Sequence, residues 1–194
     1  MTEHKSFWFA ARTKNNQVLT TRTVLEKLNI EYYLPTQFTV RILRDRRRNV
    51  EVPMIQNLIF VHATKQRACD IVNNCYVRLY YMRDFCTHQM LVVPDKQMED
   101  FMLVMNLMPD KVCFENKQLT LGAPVQIIKG ELCGIEGEVA SMGNHTYVVI
   151  RMQGVLSASI RVPRSYLRLL IKSEINNIKW KKNYFPALRE NKLW

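Results

Sequence analysis

The chain has 194 residues, 47% hydrophobic and 23% charged, with a formal net charge of +11. That composition belongs to a folded globular protein with one substantial core or two small ones, and it excludes disorder over most of the length. The cationic excess suits nucleic acid, an acidic protein surface or an anionic membrane as neighbour. No run of about eighteen apolar residues occurs, and the opening MTEHKSFWFAARTKNN lacks both the apolar stretch and the small-residue cleavage site of a secretion signal. The expectation is a cytoplasmic protein with no membrane role. Cys69, Cys75, Cys86, Cys113 and Cys133 are odd in number and contain no Cys-x-x-Cys pair, so they read as reduced thiols. His4, His62, His88 and His145 are scattered, with no HxxxH or HExxH spacing, and neither a metal nor a cofactor is expected. GxSxG, Walker A and GxGxxG patterns are absent too, so the usual routes to catalysis are missing and an enzyme is not expected.

In chain order, SFWFAAR (Ser6 to Arg12) reads as a short buried strand. Asn15 and Asn16 offer caps for a helix reaching about Asn29, with Val18, Leu25 and Leu28, and Val24 beside them, on one face. The stretch IEYYLPTQFTVRILRDRRRNVEVPM alternates apolar and polar residues on both sides of Asp45-Arg46-Arg47-Arg48-Asn49, which predicts a β-hairpin with a basic tip. Asn57 to Ala63 is a dense apolar strand, Lys65 to Asn74 a short helix, and Val77 to Met82 and Met90 to Pro94 two further strands. Met98, Phe101, Met102 and Met105 recur at i, i+3, i+4, i+7, a helical face that reads as core. Periodicity fades over Met108 to Gly122, where a linker (109–121) is expected between a first domain of 5–108 and a second of 122–170. Residues 123–170 give short β-like runs separated by glycines, the pattern of a small five-strand barrel.

GAPVQIIKGELCGIEGEV (Gly122 to Val139) is the most specific segment. Val125 and Ile127 share one face of a strand. Lys129-Gly130 and Gly134 mark a turn needing φ > 0, and Gly137 admits close backbone approach. The segment resembles the KOW motif. Independently, Trp8 opens the first strand as in the NusG N-terminal domain, while YYLPT (Tyr32 to Thr36) and PMIQNLIFV (Pro53 to Val61) match its post-helix strand and its FPGYVFV-like strand. One departure is that Gln56-Asn57 and Leu58 stand where the family has Pro-Gly or Pro-Asn and an aromatic, so contacts there must be aliphatic. The chain is thus similar to NusG-family elongation factors. VPRSYL (Val162 to Leu167) and KGELCGIEG bring it nearest the specialised UpxY paralogues, whose role resembles that of the antiterminator RfaH on capsular polysaccharide operons.

The resemblance implies an α+β protein: a NusG-like domain with a mixed or antiparallel sheet flanked by helices, then an all-β, SH3-like KOW barrel. It implies a monomer that binds the RNA polymerase clamp region through an apolar depression lined by Phe9, Ala10, Ile55, Leu58 and Phe60, with Arg12 at its edge. Lys14 and Arg22 would lie near non-template DNA. Arg41, Arg44, Arg46, Arg47 and Arg48 crowd the hairpin and would meet DNA or nascent RNA. A ribosomal protein or the termination factor Rho would be partners for the KOW domain. The tail 171–194, with six cations against two carboxylates interleaved with Trp180, Tyr184, Phe185 and Trp194, suits RNA stacking or a helix packed back on the barrel. A ribosome-associated KOW protein and an unrecognised enzyme are the alternatives.

Overall fold

The structure is a computed structural model and describes residues 5–43, 46–75, 77–85, 87–114, 121–142, 145–152 and 154–170. Arg44 and the tail 171–194 lie outside the described residues. The architecture is α+β, with few helices and antiparallel strands. Two compact units are distinguished, residues 1–110 with 151–157, and residues 111–150 with 158 onward.

In the first unit, strand β1 (Phe7–Thr13) is followed by helix α1 (Val18–Lys27), β2 (Glu31–Tyr33), the ribbon strands β3 (Thr36–Leu43) and β4 (Arg46–Pro53), β5 (Leu58–Ala63), helix α2 (Lys65–Asn73), β6 (Leu79–Tyr81), β7 (Val92–Val93) and helix α3 (Asp95–Leu107). Central β1 pairs with β5 along one edge (Phe7↔Ala63 to Arg12↔Leu58). Its other edge is shared by β6 and β7, and β2 extends the sheet beyond β5. Strand alternation sends Phe9, Ala11, Ile59 and Val61 to one face, where they pack with Val18 and Leu25 of α1 and Ala68 and Ile71 of α2.

Local chemistry explains the helix ends. Asn15 and Asn16 do not cap α1 through their side chains. Asn16 takes φ 59°, and Gln17 is the cap residue, without a side-chain hydrogen bond. The helix ends in a Schellman motif: Ile30 N–H donates to the Leu25 carbonyl and Asn29 N–H to that of Glu26, with Asn29 at φ 51°. Thr64 caps α2 by accepting from the Arg67 N–H at 3.2 Å. In α3 the buried stripe is Met98, Phe101, Val104 and Met105, with Met102 only half-buried.

Strands β8 (Val112–Phe114), β9 (Leu121–Ile127), β10 (Glu136–Met142), β11 (His145–Met152), β12 (Leu156–Arg161) and β13 (Leu167–Leu169), all but the adjoining ends of β11 and β12 belonging to the second unit, form a six-stranded sheet in the order β13-β9-β10-β11-β12-β8. Val125, Ile127, Ile135, Val148, Ile150 and Ile160 are buried on it. Part of the interval expected to be linker is therefore strand: Val112–Phe114 pair with Ile160–Ala158, and the Ser159 hydroxyl donates to the Cys113 carbonyl at 3.2 Å. Three residues are too few to show an alternation, but they complete an otherwise open strand edge.

Candidate interaction surfaces

The expected apolar depression does not exist as one surface. Phe9 points to the α1/α2 side, whereas Ala10, Leu58 and Phe60 belong to the opposite face of the same sheet, because β1 and β5 alternate in register Ala10↔Phe60 and Arg12↔Leu58. On that second face Phe60 lies 5.7 Å from Phe101 of α3 and 6.5 Å from Tyr33, ring centroid to centroid. Phe9, Ala10, Leu58 and Phe60 all have 0% exposure, so they are core side chains. Of the six residues, Ile55 is half-buried in the β4–β5 turn and Arg12 is exposed. That turn is fixed to β1 by the Thr13 N–H donating to the Asn57 carbonyl at 2.9 Å and the Asn57 side chain donating to Asn15 at 3.0 Å.

Around Arg12 the exposed residues are Lys14, Arg78 and Tyr80, the last standing opposite Arg12 in the β1–β6 register at 59% exposure. Sequence reading passed over Tyr80, although Leu79 and Tyr81 alternate inward and leave Arg78 and Tyr80 outward. Phe85, in the turn after β6, is 91% exposed and carried no sequence signal beyond its polar neighbours.

Arg22, expected near non-template DNA, makes a tie within the fold. Its guanidinium donates to both Glu51 carboxylate oxygens, at 2.6 and 2.9 Å, and its Nε lies 3.8 Å from Glu26. The hydrogen bond from Arg22, with a second from Thr36, holds the Glu51 carboxyl below its ordinary value, and the same contact raises Arg22 further. Burial and a hydrogen bond to Glu26 push the Tyr32 phenol up to about 12. The bidentate pair commits Nη1 and Nη2 of the guanidinium to Glu51.

The pair anchors the ribbon β3–β4, which forms a sheet of its own. Its register, Thr36↔Pro53 to Leu43↔Arg46, places Arg46 beside the turn as the first residue of β4, with Arg47 and Arg48 further along the strand. Arg41 and Arg48 stand directly opposite each other and share a face with Arg46, Gln37 and Thr39. Arg47 lies on the other face with Phe38, Val40 and Ile42, which are 76%, 60% and 72% exposed. Arg41, Arg46, Arg47 and Arg48 are exposed and none forms an ion pair among the described residues.

Residues 6–102, half of the chain, match the family described as "Transcription termination factor nusG". The chain belongs to the NusG family. It is thereby a member of a family of transcription factors, not of enzymes. Two solved structures are similar: one titled for domain interaction in Thermotoga maritima NusG (16% identity, 86% of this chain and 98% of that chain, TM-score 0.44), and the MjSpt4:Spt5 complex (15% identity, 85% and 97%, TM-score 0.25). Likeness at that level carries no argument of its own. No curated protein matches the sequence significantly.

The second unit is a β region consistent with the KOW domain of NusG-family chains. Val125 and Ile127 are buried at 2% and 1%, and Lys129 is exposed. Gly130 and Gly134 take φ of +83° and +94°, the left-handed region that the turn requires. At Gly137 a Cβ would come within 2.6 Å of the Val148 side chain and 2.7 Å of the Val149 carbonyl, so β10 and β11 approach where only glycine fits. Among the described residues there is no cluster able to hold a metal ion, and no helix long and apolar enough to cross a membrane.

Proposed function

We propose that this chain is a transcription elongation and antitermination factor that binds the RNA polymerase clamp region through its N-terminal unit and carries the enzyme through pauses or terminators, in a capsular polysaccharide operon. The observation that carries the reading is the NusG-family match over the sheet that presents Arg12 and the β4–β5 turn. With Leu58 and Phe60 withdrawn into the core, the polymerase contact falls to Ile55, Arg12 and the neighbouring Tyr80, the accessible side chains at that end of the sheet. An aliphatic and an aromatic side chain, each contributing about 1.5–3 kcal/mol when buried, give a transient rider without any catalytic step. Bridging the clamp to the far side of the cleft opposes the relaxation that pausing needs.

Lys14 and the ribbon arginines supply a nucleic-acid contact, to non-template DNA or nascent RNA, and the KOW-like unit is available to a ribosomal protein or to Rho. The two units are separately folding domains of a cytoplasmic monomer. Co-purification of RNA polymerase with the tagged full chain, followed by transcription in vitro through a terminator, tests the reading. Polymerase capture and increased read-through support it, whereas ribosomal RNA in place of polymerase moves the chain to the ribosome-associated class. Limited proteolysis within 108–122 tests the separation of the domains.

A further inference from the structure

The ribbon β3–β4 has two unlike faces. Gln37, Thr39 and Arg41 recur at every second residue along β3, and Arg46, Arg48, Val50 and Val52 supply the same face from β4. Arg41 and Arg48 are direct cross-strand partners, a like-charge pairing that destabilises a free ribbon, and no carboxylate among the described residues neutralises either. The cost is offset once a polyanion covers the face. We propose that this face of the ribbon enters the major groove of duplex DNA, with Gln37, Thr39, Arg41 and Arg48 toward the base edges and Arg46 toward a phosphate.

Size and chemistry both support that occupant. Two strands about 4.8 Å apart, each eight residues and so about 27 Å long, suit a major groove about 12 Å wide, which admits a two-stranded ribbon. Arginine matches the paired acceptors of guanine, glutamine the donor and acceptor of adenine, and threonine either an acceptor or the thymine methyl. Single-stranded nucleic acid is held by stacking on aromatic rings. The ribbon's aromatic ring, Phe38, lies on the other face with Val40 and Ile42, so the arginine face offers a single strand no aromatic ring to stack on. The deep, narrow major groove of an RNA helix closes to such a ribbon. The inference rests on the nucleic-acid contact proposed above and sharpens it to a face, a duplex and a groove.

The test is anisotropy of the free full chain with a labelled DNA duplex, the matching single strand and an RNA duplex. Preference for the DNA duplex is expected. The double variant Arg41→Gln/Arg48→Gln should bind it at least about tenfold more weakly, Arg46→Gln should lower the logarithmic salt slope by about 0.9, and Arg47→Gln on the opposite face should change affinity less than about threefold. Guanine N7 methylation, which fills the major groove, should block binding. Equal or tighter binding to single strand or RNA, no duplex binding, an equal loss with Arg47→Gln, or indifference to N7 methylation overturns the proposal. Polymerase co-purification of the same variants keeps the two ideas apart. If polymerase is captured but duplex preference is absent, only the ribbon assignment falls. If the facial asymmetry appears without polymerase capture, the polymerase reading falls instead.

Discussion

Strands β1 and β5, continuous apolar runs, and strands β3 and β4, in which apolar residues alternate with polar ones, end in opposite environments. In the five-stranded sheet the two faces are covered, one by α1 and α2 and the other by α3, so Phe9 and Phe60 point in opposite directions and each is fully buried. In the ribbon, Phe38, Val40 and Ile42 share one face and remain 76%, 60% and 72% exposed. A period of two says that side chains share a face, and only the neighbouring elements say whether that face meets a core.

The sharpest way to break this comparison is Leu58→Asp. A carboxylate at a position with 0% exposure, where its cross-strand partner Arg12 is exposed to solvent, is expected to cost about 5 kcal/mol and to unfold the N-terminal unit. Loss of far-ultraviolet circular dichroism on urea titration at lower denaturant checks it, and a native-like melt would mean that the strand is open to solvent after all. Phe60→Ala comes next, with an expected loss of about 3–5 kcal/mol from the emptied space between Tyr33 and Phe101, read as a fall in the urea midpoint.

Glu51→Gln probes the tie between ribbon and helix and should cost about 1 kcal/mol, since the bidentate pair is only partly shielded from water. Because the folded-state pKa of Glu51 lies below its ordinary value of 4.5, its contribution is fully present above that value and is lost as pH falls through the folded-state value. The stability gap between wild type and Glu51→Gln should therefore be level near neutrality and shrink in acid below 4.5; a gap that widened in acid would contradict the pairing. The smallest effect is expected for Phe38→Ala, within about 0.5 kcal/mol of wild type, as for an exposed surface site. A loss approaching that of Phe60→Ala would show that the ribbon's apolar face is covered within the chain.

The sequence alone determined the elements with strong local signals. The i, i+3, i+4, i+7 spacing of α3 is a property of the helix itself, and so are the φ > 0 demands at Gly130 and Gly134 and the β pairing around the arginine run. Family membership was also legible, through Trp8 and the NLIFV strand. Tertiary structure decided what those elements face. Leu58 and Phe60 became core because α3, some forty residues later, crosses their side of the sheet, and Arg22 became a tie because Glu51, 29 residues away, meets it. Cross-strand register, which no local window contains, put Arg41 and Arg48 on one side of the ribbon and Arg47 on the other. Burial and partnership are properties of two segments at once, and the chain's local pattern specifies one segment at a time.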